Sequence, residues 1–317
     1  MRIAISLTAL TTALACSLAT VPAHAQRARV FVASYGNDAN PCTFGSPCKT
    51  FQQAVNVVAG GGEVTAIDSA GFGPINITKA VTITSPDGVE AGIVPVSGGD
   101  AITISAGSSD VIQLHGLTLD GTGGGVDGIV FTTGQSLIIA GCVIRDFTSD
   151  GIHFNPGASS TLRISDTLLD NNGDAGIYLV QTGSSTVTVA VDRVQASNNH
   201  NGLVLQGSNQ STAMLSAVIA DSVAANNVND GFAAVAEGGA TGGTTGVLVV
   251  RSVAANNGGA GVESQGNTAT LWVSQSAVTG NVNGWVTNFS GTLLSYGDNK
   301  IVGNAANQSA PPPITNK

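Results

Sequence analysis

Ionisable side chains that could do chemistry concentrate between His115 and Tyr178 of this chain. When the recurring segments are aligned, Asp120, Arg145 and Asp170 fall at equivalent, outward-facing positions. Carboxylates that alternate with a guanidinium can hold a divalent cation beside a base, or they can form a ladder of ion pairs on a solvated surface. We favour the ladder because such networks are commoner than catalytic sites, and both interpretations stand at this point.

A second group of candidates surrounds the glycines that end the turns. Asp150 precedes one such glycine and His153 follows it, while Asp127 occupies the position of Asp150 one segment earlier. Histidine is the side chain most often used for proton transfer, and aromatic rings can pack against a sugar. The pattern assigns no metal site. The catalytic candidates are therefore Asp120, Arg145, Asp150, His153 and Asp170, and the binding candidates are Tyr178 and Trp272.

The elements that must position these residues form a repeat. Beyond residue 110, a turn glycine between two apolar alternations recurs every 23 to 30 residues. A period in the twenties with short strands is typical of a solenoid, in which each coil pairs with the coils on either side. We predict an all-β, right-handed parallel β-helix of about ten coils. The turn glycines are Gly128, Gly151, Gly176, Gly202, Gly231, Gly261 and Gly284.

Alternation also predicts which side chains fill the core, because neighbours along a strand point to opposite faces. Cys142 falls at an inward position as a buried free thiol, and Trp285 is predicted to be a core residue. Turn residues such as Asn172 and Asn199 are predicted to adopt left-handed backbone and to bond between coils as a ladder. The inward set of three successive coils is Ile112, Leu114, Leu117, Leu119, Leu137, Ile139, Ile144, Leu162, Ile164, Thr167 and Leu169.

The two ends of the chain carry signals of their own. Arg2, an apolar run and the segment Ala23-His24-Ala25 predict a cleaved signal peptide, hence a secreted, periplasmic or cell-surface protein without membrane insertion after cleavage. Thr50 is the predicted N-cap of a short helix that covers the first coil. The predicted segments are a signal peptide at 1–25, a strand, cysteine loop and capping helix at 26–60, the β-helix at 61–304 and a disordered tail at 305–317.

Cysteine spacing and charge limit the possible disulfides and the classes of binding partner. Cys42 and Cys48 lie six residues apart in a loop, which predicts a local disulfide in an oxidising compartment. The chain has 11 basic and 20 acidic side chains and no basic run, which argues against nucleic acid as a partner. No cofactor is evident. The last coil has no predicted cover, so self-association through that edge is a further expectation.

Two passages resemble a known family. Residues 34–42 (SYGNDANPC) and 47–55 (PCKTFQQAV) are similar to the leader before the first coil of bacterial proteins of the pectin-lyase-like β-helix superfamily. Residues 295–301 (SYGDNKI), with Gly303 and Asn304, resemble the last coil of the same proteins. The resemblance implies the fold across the mature chain, and it is much less specific for activity.

The resemblance also implies a kind of chemistry. Lyases of this superfamily act on uronic-acid polymers with Ca²⁺ held by carboxylates and an Arg or Lys base, here Arg145. The Gly-His-Gly and Arg-Ile-Lys signatures of its hydrolases and the Asp-Pro-His-Asp signature of its epimerases are absent from the sequence. Whether the chain is an enzyme therefore stays open, and Ca²⁺ is implied only if it is a lyase.

Two functions follow as expectations. The first is a secreted protein that binds or modifies extracellular polysaccharide through an outer groove, and the alternative is a non-catalytic structural or adhesive rod at the cell surface. Because few ionisable side chains follow Arg193, a catalytic groove is expected in the first half of the rod. Dispersal of Asp120, Asp146, Asp150 and Asp170 around the circumference would count against an enzyme.

Overall fold

The protein is a right-handed parallel β-helix, and the predicted fold class is confirmed. The computed structural model describes residues 27–236 and 242–314, so the predicted signal peptide lies outside the described residues. Three parallel sheets of eleven, nine and ten strands run along the rod. Within the described residues, no helix is long and apolar enough to cross a membrane.

The first sheet has strands of four to nine residues. Its members pair in register from coil to coil, as Thr186 with Met214 and Met214 with Thr244. The strands are β1 (Arg27–Val32), β2 (Val58–Ala66), β5 (Val81–Thr84), β8 (Val111–His115), β11 (Ser136–Ala140), β14 (Ser160–Ser165), β17 (Thr186–Asp192), β20 (Met214–Ala220), β23 (Thr244–Val250), β26 (Ala269–Ser274) and β29 (Thr292–Ser295).

From Gly128 onward, each strand of the second sheet starts at or next to a turn glycine. The sheet contains His153 and Tyr178, which are direct neighbours on adjacent strands. Its strands are β4 (Ile75–Ile77), β7 (Ile102–Ser105), β10 (Ile129–Thr133), β13 (Ile152–Phe154), β16 (Ala175–Val180), β19 (Asn201–Gly207), β22 (Phe232–Ala236), β25 (Ala260–Gln265) and β28 (Asn283–Asn288).

The third sheet has short strands between the other two along each coil. Asp120, Arg145 and Asp170 occupy equivalent positions on three of them. Its strands are β3 (Ala70–Gly71), β6 (Ala91–Ile93), β9 (Leu117–Asp120), β12 (Val143–Arg145), β15 (Leu168–Asp170), β18 (Gln195–Ser197), β21 (Val223–Ala225), β24 (Val253–Ala255), β27 (Ala277–Thr279) and β30 (Lys300–Ile301).

The predicted inward side chains form the core. All eleven members of the predicted inward set are buried, and Cys142 is a buried free thiol. Phe131 stacks on Phe154 of the next coil at a centroid distance of 4.4 Å. Trp285 continues the inward column of Val262, but it is only partly buried because few residues lie beyond it. No single coil could bury these side chains alone, so the coils stabilise one another.

A buried asparagine ladder fixes the turn between the third and second sheets. In each step one Oδ1 accepts both the backbone N–H and the Nδ2 of the preceding asparagine, as from Asn172 to Asn199 at 2.9 Å for both bonds. The ladder was predicted, but the left-handed backbone lies one residue earlier, at positions such as Asn171 with φ of 54°. The ladder side chains are Asn172, Asn199, Asn227, Asn257, Asn281 and Asn304.

The N-terminal end is covered as predicted. Helix α1 (Phe51–Val57) starts at the N-cap Thr50, whose side chain accepts a hydrogen bond from the Gln53 amide. The disulfide between Cys42 and Cys48 closes a loop that also covers the outer edge of β1. The Phe31 amide donates to the Cys42 carbonyl, and the Cys48 amide donates to the Phe31 carbonyl.

The C-terminal end is covered by the segment for which disorder was predicted. Residues 305–314 lie along the last coil, where Ala306 bridges Asn283 and Pro313 bridges Ser295. The Trp285 indole N–H donates to the Ser309 carbonyl at 2.8 Å. These bonds satisfy backbone groups at the edges of the last strands, a requirement that composition does not reveal.

Candidate functional site

The column of Asp120, Arg145 and Asp170 lies on the third sheet. Its side chains bond to one another and to neighbouring residues of the protein. Arg145 donates to Asp120 at 2.9 Å and lies 3.7 Å from Asp146. Asp170 accepts a hydrogen bond from Asn198 at 2.7 Å. Arg145 therefore forms an ion pair with only one member of the column, Asp120, while Asp170 is bonded to Asn198. Exposed pairs of this kind position side chains without contributing much stability.

Asp150 and His153 form a second pair, and it faces a different side of the rod. Asp150 is 2% exposed at the turn before β13, and its Oδ2 lies 2.9 Å from His153 Nδ1. Its Oδ1 accepts the Ala175 amide at 3.0 Å. Because Asp150 contacts Nδ1, Nε2 is the ring nitrogen of His153 that this pair leaves for other partners, on a side chain that is 27% exposed.

The surroundings of this pair are acidic. The Asp150 amide donates to Asp127, and the Asp127 amide donates to Asp100, so three carboxylates follow one another along the rod. Burial raises the pKa of both Asp127 and Asp100. The hydrogen bond that His153 donates to the Asp150 carboxylate, helped by the charges of the other two aspartates, raises the pKa of His153 against the opposing effect of burial.

Ca²⁺ fits this cluster poorly. Ligand atoms of Asp127, Asp150 and His153 lie within 4.8 Å of one another. However, Ca²⁺ prefers about six to eight oxygen ligands, and one of these three ligands is an imidazole nitrogen. Both oxygens of Asp150 are already engaged by Ala175 and His153. The residues present therefore favour a proton-binding pair over a calcium site.

The two aromatic binding candidates lie on different sheets. Tyr178 neighbours His153 on the second sheet, with the rings edge to face at a centroid distance of 5.5 Å, and its hydroxyl lies 3.4 Å from Gln206 Oε1. Trp272 lies on the outer face of the first sheet beside Leu248, in a shallow depression of about 420 Å³. The structure therefore brings Asp150, His153 and Tyr178 together and separates them from Trp272 and from the Arg145 column.

A groove of about 480 Å³ lies further along the second sheet, in the half of the rod where no catalytic groove was expected. Its floor consists of outward positions of β19, β22, β25 and β28, and the surface is concave here because Ala233, Gly259 and Ala260 are small residues. The expectation of a groove in the first half rested on counting ionisable residues, whereas side-chain volume determines where the surface is concave.

Two acidic residues that the sequence analysis did not single out lie together in this groove. Glu263 is 8% exposed and accepts a hydrogen bond of 2.6 Å from Asn288. Burial, and then the adjacent Asp230 carboxyl with which it is hydrogen-bonded, raise the pKa of Glu263 to about 7. Asp230 accepts the Ala260 amide at 2.6 Å. The sequence did carry one indication of this site. Glu263 lies two residues after Gly261, at an outward position equivalent to that of His153 after Gly151.

Comparisons with known proteins agree with this architecture. Residues 96–191 match a family model described as the right handed beta helix region. A pectate lyase structure superposes with a TM-score of 0.56 at 16% identity, covering 84% of this chain and 76% of the lyase. The A-module of a mannuronan C-5 epimerase from Azotobacter vinelandii superposes with a TM-score of 0.50 at 17% identity, covering 81% and 91% of the two chains. A search of curated protein sequences finds no match.

These likenesses define the class of protein. The chain has a right-handed β-helix fold, as its leader and last coil suggested. At such low identity the superpositions support the fold alone, because one fold carries many activities.

Proposed function

We propose that this protein is extracellular and binds polysaccharide along the outer face of the second sheet. The observation that carries the proposal is the alignment of two functional clusters on that face, His153 with Tyr178 and Asp230 with Glu263. Four strand spacings of about 4.8 Å separate β13 from β25, so one extended chain of roughly 20 Å could contact both clusters.

The chemistry of the face suits a sugar polymer. Amide, carboxyl and imidazole groups exchange hydrogen bonds with hydroxyls, while aromatic and aliphatic surface packs against the apolar faces of sugar rings. Tyr178, Val204 and Val286 supply the second kind of surface beside the polar groups. The pectate lyase and the epimerase that share this fold are named for action on such polymers.

The face supports binding better than the uronate elimination implied by the resemblance. That reaction needs a cation to neutralise the uronate, and the fit of Ca²⁺ to the acidic cluster is poor. Arg145, the implied base, is paired with Asp120 on another sheet. If a reaction occurs, Asp150 and His153 are the pair able to move a proton, and Tyr178 lies beside them.

Binding of residues 26–317 to a polysaccharide panel, with and without Ca²⁺, tests the proposal. Absorbance at the wavelength of unsaturated products shows whether the polysaccharide is cleaved by elimination in the same samples. We expect binding that weakens several-fold in His153→Ala and is unchanged in His115→Ala, a matched histidine at the end of β8 on the first sheet. Equal binding by both variants, or no binding across the panel, would overturn the proposal.

A non-catalytic adhesive rod is the second candidate, and one observation favours it. The outer face of the first sheet is uncharged and apolar around Trp272, with Met214 51% exposed and Val218 43% exposed. Apolar surface of this kind often marks a contact with another macromolecule. Under this function, Trp272→Ala would reduce adhesion to cells or surfaces while His153→Ala would not.

A further inference from the structure

We propose that the groove around Asp230 and Glu263 selects an uncharged, hydroxyl-rich segment of the bound glycan and rejects a uronate segment. The inference rests on the proposed function and adds to it the chemical class of the ligand at this position. It concerns residues that lie about four strands from His153 along the rod.

The charges in the groove exclude an anionic ligand. Among the described residues that line it, Asp230 and Glu263 are the ionisable ones, and no Lys, Arg or His is present. A uronate carboxylate would enter a partly buried site that holds negative charge and offers no cation, which is strongly unfavourable. A neutral sugar has no such penalty.

The two acids behave as one hydrogen-bonding unit. Asp230 accepts hydrogen bonds from the Ala260 amide and from Asn229 at 3.2 Å, and Glu263 accepts one from Asn288. Burial and the adjacent Asp230 carboxyl both raise the pKa of Glu263, so Glu263 takes up a proton more readily than an isolated carboxyl group does.

The polar rim of the groove continues towards Tyr178. Asn201 donates to Asp174 at 3.3 Å, and Asn229 donates to Asn201 at 3.1 Å. These side chains form a row of hydrogen bonds from the turn before β16 to Asp230. Amide groups both donate and accept, so they can exchange partners with hydroxyls of a sugar at little cost. A neutral glycan bound along this face would therefore contact amide groups between His153 and the pair of acids.

Calorimetry with residues 26–317 and four probes tests the inference. The neutral probes are cellohexaose, xylohexaose and maltohexaose, and the charged probe is hexagalacturonate without divalent cations, all at pH 7. We expect at least one neutral probe to bind and the uronate to bind at least about tenfold more weakly. Tighter binding of the uronate than of every neutral probe would overturn the inference.

Substitutions of residues that line the groove test whether the glycan binds there. Asn288→Ala removes the exposed donor to Glu263 and should weaken the neutral probe about fivefold, as expected for one lost hydrogen bond. The double variant Asp230→Asn, Glu263→Gln keeps the shapes of both side chains and removes the charge. It should relieve the rejection of the uronate, so that the affinity for the uronate relative to the neutral probe rises at least about tenfold. Asp87→Asn, on an exposed turn near the N-terminal end, is the matched control.

Failure of the inference differs from failure of the proposed function. Binding that depends on His153 but not on Asn288, or uronate rejection that persists in the double variant, contradicts the groove assignment alone. Absence of binding by every probe and by the polysaccharide panel contradicts both. Circular dichroism and melting temperature establish that each variant is folded, and the isosteric double variant covers the case in which Asn288→Ala does not fold.

Discussion

The imidazole of His153 is held by a carboxylate that is almost completely buried. The pairing raises the pKa of His153, so its contribution to stability is fully present below the unfolded value of 6.5 and is lost as the pH rises through the folded value. We expect Asp150→Asn to lower the pKa of His153, because burial then acts without the paired carboxylate. Histidine NMR titration measures this, with Asp120→Asn as a control. An unchanged pKa in Asp150→Asn would refute the pairing.

Glu263 behaves in the opposite way to an ordinary carboxyl group. Its pKa is about 7 in the folded chain and 4.5 in the unfolded chain, so the folded state binds more protons between these values. Stability should therefore fall as the pH rises from about 4.5 to 7 and change little from this group above that range. Melting temperature against pH checks the trend. Glu263→Gln should flatten it, and an equally steep curve in that variant would show that another group is responsible.

At the scale of single elements, the asparagine ladder is expected to stabilise the rod more than the charged columns on its surface. Asn227 is 2% exposed, and its Oδ1 accepts two bonds from Asn199 while its Nδ2 donates to Asn257 and to the Ala196 carbonyl. Asn227→Ala leaves several buried groups without partners and should cost at least about 2 kcal/mol. Chemical denaturation measures the loss.

The control for that experiment is Asn76→Ala on β4, where the side chain is exposed. This change should alter the free energy of unfolding by less than about 0.5 kcal/mol. Similar losses in both variants would mean that the ladder stabilises no more than an average surface amide. The turn residues before the ladder, such as Asn171, are unsuitable controls because their backbone is left-handed.

At the scale of the whole molecule, stability and solubility depend on covering the two ends of the sheets. The helix α1 and the cysteine loop cover the first coil, and residues 305–314 cover the last one. Deletion of 305–317 should expose the edges of β28 and β29, lower the melting temperature and promote self-association. Light scattering against protein concentration detects the association.

A shorter deletion, of residues 315–317 alone, is the matched control for that experiment. It should leave the chain as stable and monodisperse as the full-length protein, since it retains Ile314, whose amide donates to the Ser295 carbonyl. If deletion of 305–317 were equally harmless, the segment would behave as the disordered tail expected from its composition.

The sequence by itself determined the repeat and everything that follows from alternation. Ile112, Cys142 and Phe154 lie inside because their positions alternate with outward residues, and each coil must bury them against the next. Thr50 at a helix start and the pair Cys42 and Cys48 could be recognised because these signals are local. The Asp120–Arg145–Asp170 column was found by alignment, since one coil length separates its members.

Only the tertiary structure decided which outward residues share a surface. Asp230 and Glu263 are 33 positions apart, and coil lengths vary, so their contact depends on how each turn is accommodated. Outward side chains carry no burial pattern, and the groove exists because small residues on several strands coincide. Likewise, the tail composition gave no sign that Ser309 would accept a bond from Trp285. Alternation specifies the inside of a solenoid, whereas the surface depends on register and side-chain volume across coils.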